Sequence, residues 1–559
     1  MYHNVGTVMN VTIINPQGQE YQIDVENSAP LNQMIKEYGV TSDTPIVAAV
    51  CNGCYIRLNT IIDQDCVIYL KDVRDAYGNM SLQYSLSLLY RCAISQIIGN
   101  HDVQICNSLS KGLFTRIIGV NPTDEICHRI EKQMRVLVEK DIAIKEEYME
   151  RESLLQVCSK DLPEVYELVN SATDVSGAYI IELEGVKDYC PIHVLPSTND
   201  LQLFEIRRYR NGILLRFPDR NDPCHVPPYS LQAVLYNAFA EETKWDRLTG
   251  ISGVTQLNRV VNTEKFDEVA MISDALHERK IAEIASKIKE EEKRIILIAG
   301  PSSSGKTSFA KRLCIQLRVI GMHPLYLGTD DYFVDRADLP KVQGEHIDYE
   351  ALSAVDTELF SLQMAQLLSG DVVDLPYYDF KEGKKIFGTR ITSVKQGQPI
   401  VIEGIHGLNP ALSEMLNEDM KLKIYVSPLT SLNIDSHHRI PTSDVRILRR
   451  MIRDYRTRGN SPSDTILSWH SVRAGEERNI FPYCGHADVF FNTQCTYEVA
   501  VLKHYAVPLL QSIDRDDPAF AEAQRILTFL QYFNEAQDDH AILSHSILRE
   551  FIGGSILVN

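Results

Sequence analysis

Residues 294–307 read RIILIAGPSSSGKT, and no other stretch constrains the chain as much. An apolar run of strand type stops at Gly300, and a loop of small residues closes on Gly305, Lys306 and Thr307. Glycine at both ends lets the backbone turn so that its N–H groups point inward at phosphate oxygens. Lys306 is placed to reach the outer phosphates of a nucleotide and Thr307 to offer a hydroxyl to Mg²⁺. Ser302, Ser303, Ser304 and Ser308 belong to the same phosphate-facing set. Behind the loop, SFAKRLCIQLRVIG carries Phe309, Leu313 and Leu317 at helical spacing, so the loop should deliver its amides at a helix N-terminus, where the dipole favours anions. Strand, loop and helix in this order predict a unit that binds ATP and Mg²⁺, against the alternative of an ordinary glycine turn.

With 559 residues, 44% of them hydrophobic and 23% charged, the chain is globular and long enough for about three domains. A formal charge of -19 and a pI near 5.3 argue against nonspecific binding of nucleic acid or anionic membrane, although a local basic patch can still hold phosphate. No run of 18 apolar residues occurs, and no basic flank precedes an apolar segment at the start, so a soluble cytoplasmic protein is expected. Twelve scattered cysteines suggest reduced thiols, mostly buried.

Downstream of the loop, HPLYLGTDDYFVDR (323–336) reads as a strand ending in carboxylates, where open α/β sheets place their ligands. Transfer of a phosphoryl group to a hydroxyl needs a carboxylate that accepts the proton and orients the hydroxyl, and Asp330 is the candidate. The plainer reading is that Asp330 or Asp331 caps a turn. Seven arginines fall between 439 and 458, and Arg446, Arg449, Arg450 and Arg453 recur every three or four residues, as a helix face meeting phosphate would require. A solvated or RNA-binding basic helix is the alternative.

The neighbouring residues add a resemblance. T-D-D-Y-F resembles the D-[ST]-[FY]-Y turn of uridine kinases, and EHIDYEAL, LPYYDF, PIVIEGIH and RILRRMIRDYRTRG are similar, in order, to four further segments of that family. The resemblance implies ribose contacts for Asp348 and Arg450, and a nucleobase pocket around Tyr378 and Phe380. It further implies a magnesium-side role for Glu403 and a lid of Arg453 and Arg458 over the triphosphate. The catalytic set is then Asp330, Lys306, Arg453 and Arg458, and the activity is phosphorylation of a nucleoside 5′-hydroxyl. One departure concerns the base: Gly383 stands where the family carries a pyrimidine-reading histidine. A sugar phosphate, as in the related phosphoribulokinases, is the alternative acceptor, and an RNA-binding regulatory NTPase is the alternative class.

Ahead of this unit, VTIINPQG and EYQIDV alternate around a turn, and Asn52-Gly53 separates two further β-type runs. Cys51 and Cys54 form a C-x-x-C, which reads better as a hairpin than as a zinc site. The order resembles the TGS domain, a ubiquitin-like β-grasp. Residues from about 80 to 235 resemble the second additional domain of threonyl- and alanyl-tRNA synthetases, but the helix that should carry H-x-x-x-H shows Tyr84, Leu88 and Tyr90, and the later motif is shortened to Cys190-Pro-Ile-His193. Loss of the editing metal follows, and tRNA binding by this front module is disfavoured. The expected architecture is multidomain, α/β and α+β: 1–75 TGS-like, 76–235 synthetase-like, 236–290 helical connector, 291–515 kinase with a mostly parallel sheet, and 516–559 helical appendix. The connector should bury Phe266, Val269, Ala275, Leu276, Ile281, Ile284 and Ile288. Partners reduce to a small nucleoside and no membrane, with self-association left open.

Overall fold

The computed structural model describes residues 9–341, 348–379, 381–430 and 432–558. Its first sheet has five strands in the order Glu20–Val25, Met9–Ile14, Cys66–Lys71, Ala48–Cys51 and Cys54–Ile56. The two middle members, Met9–Ile14 and Cys66–Lys71, run parallel and every other pair is antiparallel. Helix Leu31–Glu37 buries Leu31 and Met34 against it. Asn52 and Gly53 take φ of 51° and 74°, the left-handed pair that a two-residue turn needs, and the register sets Cys51 opposite Cys54. The cysteine spacing is thus hairpin geometry.

A second region follows with helix Ala76–Ile98, an antiparallel sheet ordered Glu205–Tyr209, Gly212–Arg216, Gly112–Ile117, Val103–Leu109, and a three-stranded sheet Lys145–Glu150, Gly177–Leu183, Val186–Cys190. The Thr123 hydroxyl accepts from the Ile126 N–H at 3.2 Å and caps helix Asp124–Glu139, as PTDEI suggests. One apolar cluster runs from Val11 to Phe217 through both regions.

Three helices lead onward, Ala233–Thr249, Val254–Val260 and Glu264–Glu290. The last buries Phe266, Val269, Ile281, Ile284 and Ile288, but Ala275 is exposed and Leu276 only half-buried. Asp274 and His277 are buried there instead, because Arg312 of the neighbouring helix reaches across to Asp274 and Glu278. A polar seam therefore interrupts the apolar stripe.

The sheet that carries the glycine loop is wholly parallel, in the order Leu325–Gly328, Ile400–Glu403, Ile295–Ala299, Lys421–Ser427, Val489–Asn492. Its central strand is Ile295–Ala299, and strand alternation sends Ile295 and Leu297 into one core while Ile296 and Ile298 enter the opposite one. Both faces are covered by helices, so the strand reads as an unbroken apolar run and the loop at its end is held rigidly. Among the described residues no helix is long and apolar enough to cross a membrane.

Candidate active site

The loop leaves the central strand at Gly300, where a Cβ would lie 2.0 Å from the Val426 carbonyl oxygen, so only glycine fits. It returns at Gly305, φ 84°, directly into helix Lys306–Val319. Ser303 is held at φ 58° between them. The loop is braced from outside: Arg446 Nε donates to Ser302 O at 2.9 Å, Arg450 Nη1 to Ser302 Oγ at 2.8 Å, and the Thr493 hydroxyl to Ser304 O at 2.6 Å. Lys306 Nζ donates to Pro301 O at 3.1 Å.

At the helix start, the Thr307 hydroxyl donates to Glu403 Oε1 at 3.0 Å, and the Tyr326 hydroxyl donates to the same oxygen at 3.2 Å. Glu403 ends its strand, and Asp330 lies in the short turn Thr329–Tyr332 that follows the neighbouring parallel strand. Desolvation raises the pKa of each carboxyl and Lys306 opposes the rise; Asp330 adds to that of Glu403, and Asp331 to that of Asp330. Asp331 does different work. It pairs with Arg390 at 2.5 Å and receives the Tyr378 N–H, so of the two adjacent aspartates only Asp330 turns toward Lys306.

Asp348 accepts from the Glu350 N–H and pairs with Arg478 at 3.2 Å. The cation brought to Asp348 is thus Arg478, from helix Pro462–Asn479, while Arg450 points to the loop. Tyr378 is buried, with its ring 5.6 Å from that of Phe333. Phe380, like residues 345–347 of EHIDYEAL, lies outside the described residues. Gly383, φ 70°, leaves the room that Arg336 fills: a Cβ would sit 2.7 Å from Arg336 Cβ.

Helix Thr442–Arg458 divides its arginines. Arg446 and Arg449 are buried and paired with the buried Glu476 and Glu498, so they face carboxylates and not solvent. Arg453 and Arg458 reach Asp454 Oδ1 at 2.8 and 3.5 Å, and Arg450 approaches Oδ2 at 3.5 Å. Asp454 is visible inside RRMIRDYRTRG, and its place among arginines was the signal for its role. Glu476, which accepts the Ser302 N–H at 2.9 Å, gives no such local signal. Nor does Glu350, whose carboxyl burial pushes up to about 7, helped by Glu476 and opposed by Lys306 and Arg450.

In the front module, Cys190 is buried in the core and His193 Nδ1 lies 2.7 Å from Glu146. The one group of potential ligand side chains that converges among the described residues is elsewhere, at Asp274, His277 and Cys495.

The sequence profile of the Phosphoribulokinase / Uridine kinase family matches residues 295–500. Uridine kinase of Ligilactobacillus salivarius is 30% identical over 215 residues, which cover 38% of this chain and 91% of that protein. Uridine kinase of Deinococcus deserti is 31% identical over 197 residues, 35% of this chain and 85% of the relative, and that of Halobacterium salinarum 29% over 232 residues, 40% and 94%. The matched region is the parallel sheet with its glycine loop, its carboxylates and its arginine helix, and through it the chain belongs to the phosphoribulokinase/uridine kinase family of P-loop kinases.

Proposed function

We propose that the chain transfers a phosphoryl group from ATP to the 5′-hydroxyl of a nucleoside in the presence of Mg²⁺. The observation that carries this reading is the convergence of Lys306, Thr307, Glu403 and Asp330 at the mouth of the central strand. The residues fit the implied groups. A hydroxyl and a half-buried carboxylate are the hard oxygen donors that Mg²⁺ prefers, so Thr307 and Glu403 would hold the ion. The Gly300–Gly305 loop amides with Lys306 would hold the phosphates, and Arg450, Arg453 and Arg458 would neutralise charge from the arginine helix. When bound, ATP and Mg²⁺ supply the reactive phosphoryl group and its charge neutralisation.

Asp330 takes the proton of the acceptor hydroxyl. Desolvation has raised its pKa, which makes it a better proton acceptor than an ordinary carboxylate. Asp348, Tyr378 and Phe380 are assigned to the acceptor. The carboxyls of Asp330, Asp348 and Glu350 on that side disfavour an anionic acceptor such as a sugar phosphate and favour a neutral polyol. Arg336 over Gly383 supports a base preference different from the family's histidine-read pyrimidine.

The domain division 1–75, 76–235, 236–290, 291–515 and 516–559 forms part of the same proposal. The hairpin–helix–hairpin order around a central parallel pair supports the TGS-like β-grasp reading of the front sheet. The middle region is read as a synthetase-like scaffold without editing chemistry. A panel of nucleosides and sugar phosphates with ATP tests the function: nucleoside turnover that falls about 100-fold or more in Asp330→Asn is expected. Turnover of sugar phosphates only, or turnover indifferent to Asp330→Asn, counts against it.

A further inference from the structure

The amides at the start of helix Lys306–Val319 are what a nucleotide phosphate would need, and one of them is already engaged. Ser308 donates its backbone N–H to Glu550 Oε2 at 3.3 Å and its hydroxyl to the same oxygen at 2.6 Å. Glu550 belongs to the short helix Arg549–Ile552, far along the chain. A carboxylate at a helix N-terminus satisfies the dipole as a phosphate does, and Ser308 is fully buried beneath it.

The rest of the segment follows the same outline. Ile547 covers the end of the loop, and a Cβ on Gly305 would meet its Cγ2 at 2.6 Å. Lys311 Nζ of the loop helix donates to Leu557 O at 2.6 Å, and Arg456 Nη2 of the arginine helix donates to Glu550 O at 3.3 Å. The Arg449 guanidinium lies 4.8 Å from the Phe551 ring centre. The segment therefore touches loop, loop helix and arginine helix, the three elements that would surround the phosphates. It is also tied to the stretch just before it, since Arg549 holds Asp539 at 2.9 Å and the Ile542 carbonyl at 3.0 Å.

A second carboxylate on the loop shows the difference between a brace and a stand-in. Glu476 also accepts a loop N–H, but it is buried between Arg446 and Arg473, so its charge is compensated where it stands. The side chain of Glu550 has only Ser308 as hydrogen-bond partner among the described residues and forms no ion pair there. Its charge is also close enough to add to the raised pKa of Glu403.

We propose that residues 543–558 are a built-in stopper of the donor site, in which the Glu550 carboxylate occupies the place of a nucleotide phosphate on the Ser308 amide. The proposal rests on the nucleotide reading above. Nucleotide then binds only the fraction of chains whose segment has swung away, and the apparent affinity is reduced by that fraction.

The test uses the full chain. Binding of a fluorescent ATP analogue is measured for the wild type and for Glu550→Ala, and amide hydrogen exchange of residues 543–558 is measured in the wild type with and without a non-hydrolysable ATP analogue. The stopper predicts affinity at least about ten-fold tighter in Glu550→Ala and faster exchange of the segment when nucleotide is present. Equal or weaker affinity in the variant overturns it, as does slower exchange, which would make the segment a wall of the occupied site. If wild type and variant bind equally, the stopper falls and the nucleotide reading stands; if neither binds at millimolar nucleotide, both fall.

Discussion

The two ends of the arginine helix teach different lessons from the same residue type. Arg446 and Arg449 are buried against Glu476 and Glu498 and hold the glycine loop from behind, Arg449 also donating to the Thr493 carbonyl at 3.0 Å. Arg450, Arg453 and Arg458 gather around one buried acid, Asp454, on the side of Asp330, where Arg458 opposes the upward pKa shift of Asp330. Helical spacing alone cannot distinguish these sets. What separates them is which carboxylates, brought from distant segments, have already claimed the guanidinium.

That contrast can be broken by substitution. Arg449→Ala strands the wholly buried Glu498, so a loss of about 3–5 kcal/mol in unfolding free energy is expected, read by denaturant melts. A variant as stable as wild type would move Arg449 out of the brace. The double change Arg453→Ala, Arg458→Ala should act mainly on turnover, with a fall in kcat of about 10²–10³-fold and a smaller loss of stability than Arg449→Ala, since Arg450 still approaches Asp454. Asp454→Asn keeps the shape but releases the three guanidiniums from a common anchor. A fall of about ten-fold in kcat is expected, without loss of nucleotide binding.

The smallest effect concerns Glu350, which faces Arg450 across the cleft. Its folded pKa is held up near 7, above the ordinary 4.5, so the folded chain keeps a proton that the unfolded chain releases. Stability should therefore fall as pH rises through that window and stay lower above it. Glu350→Gln removes the titration, and thermal melts at pH 5 and pH 8 should show the variant gaining about 1 kcal/mol on the wild type at the higher pH only. The same gain at both would exclude this carboxyl as its source.

The glycine loop, the turn that carries Asp330, and the strand ending in Glu403 were legible in the sequence because each is a local pattern: an apolar strand followed at once by glycine or acid. Asn52-Gly53 was legible for the same reason. Glu476, Glu498 and Glu550 were not, since each acts on a residue 49 to 242 positions away. The connector misled at Ala275 and Leu276 because apolar periodicity cannot register a polar seam set by Arg312 of another helix. Asp348 shows the limit of motif transfer: the motif names the acid, but Arg478, its cation in this fold, lies outside every segment that carries the resemblance.

The buried Arg525 bears on cooperativity. It holds Asp444 at the start of the arginine helix at 2.7 and 3.1 Å, Glu522 at 2.8 Å, and the Met80 sulfur of the front helix at 3.3 Å. One side chain thus sits where the trailing acids meet the front helix, and pulling the front away opens this charge cluster to water. Heating should accordingly show a single transition spanning front and rear, without a separate melt for each.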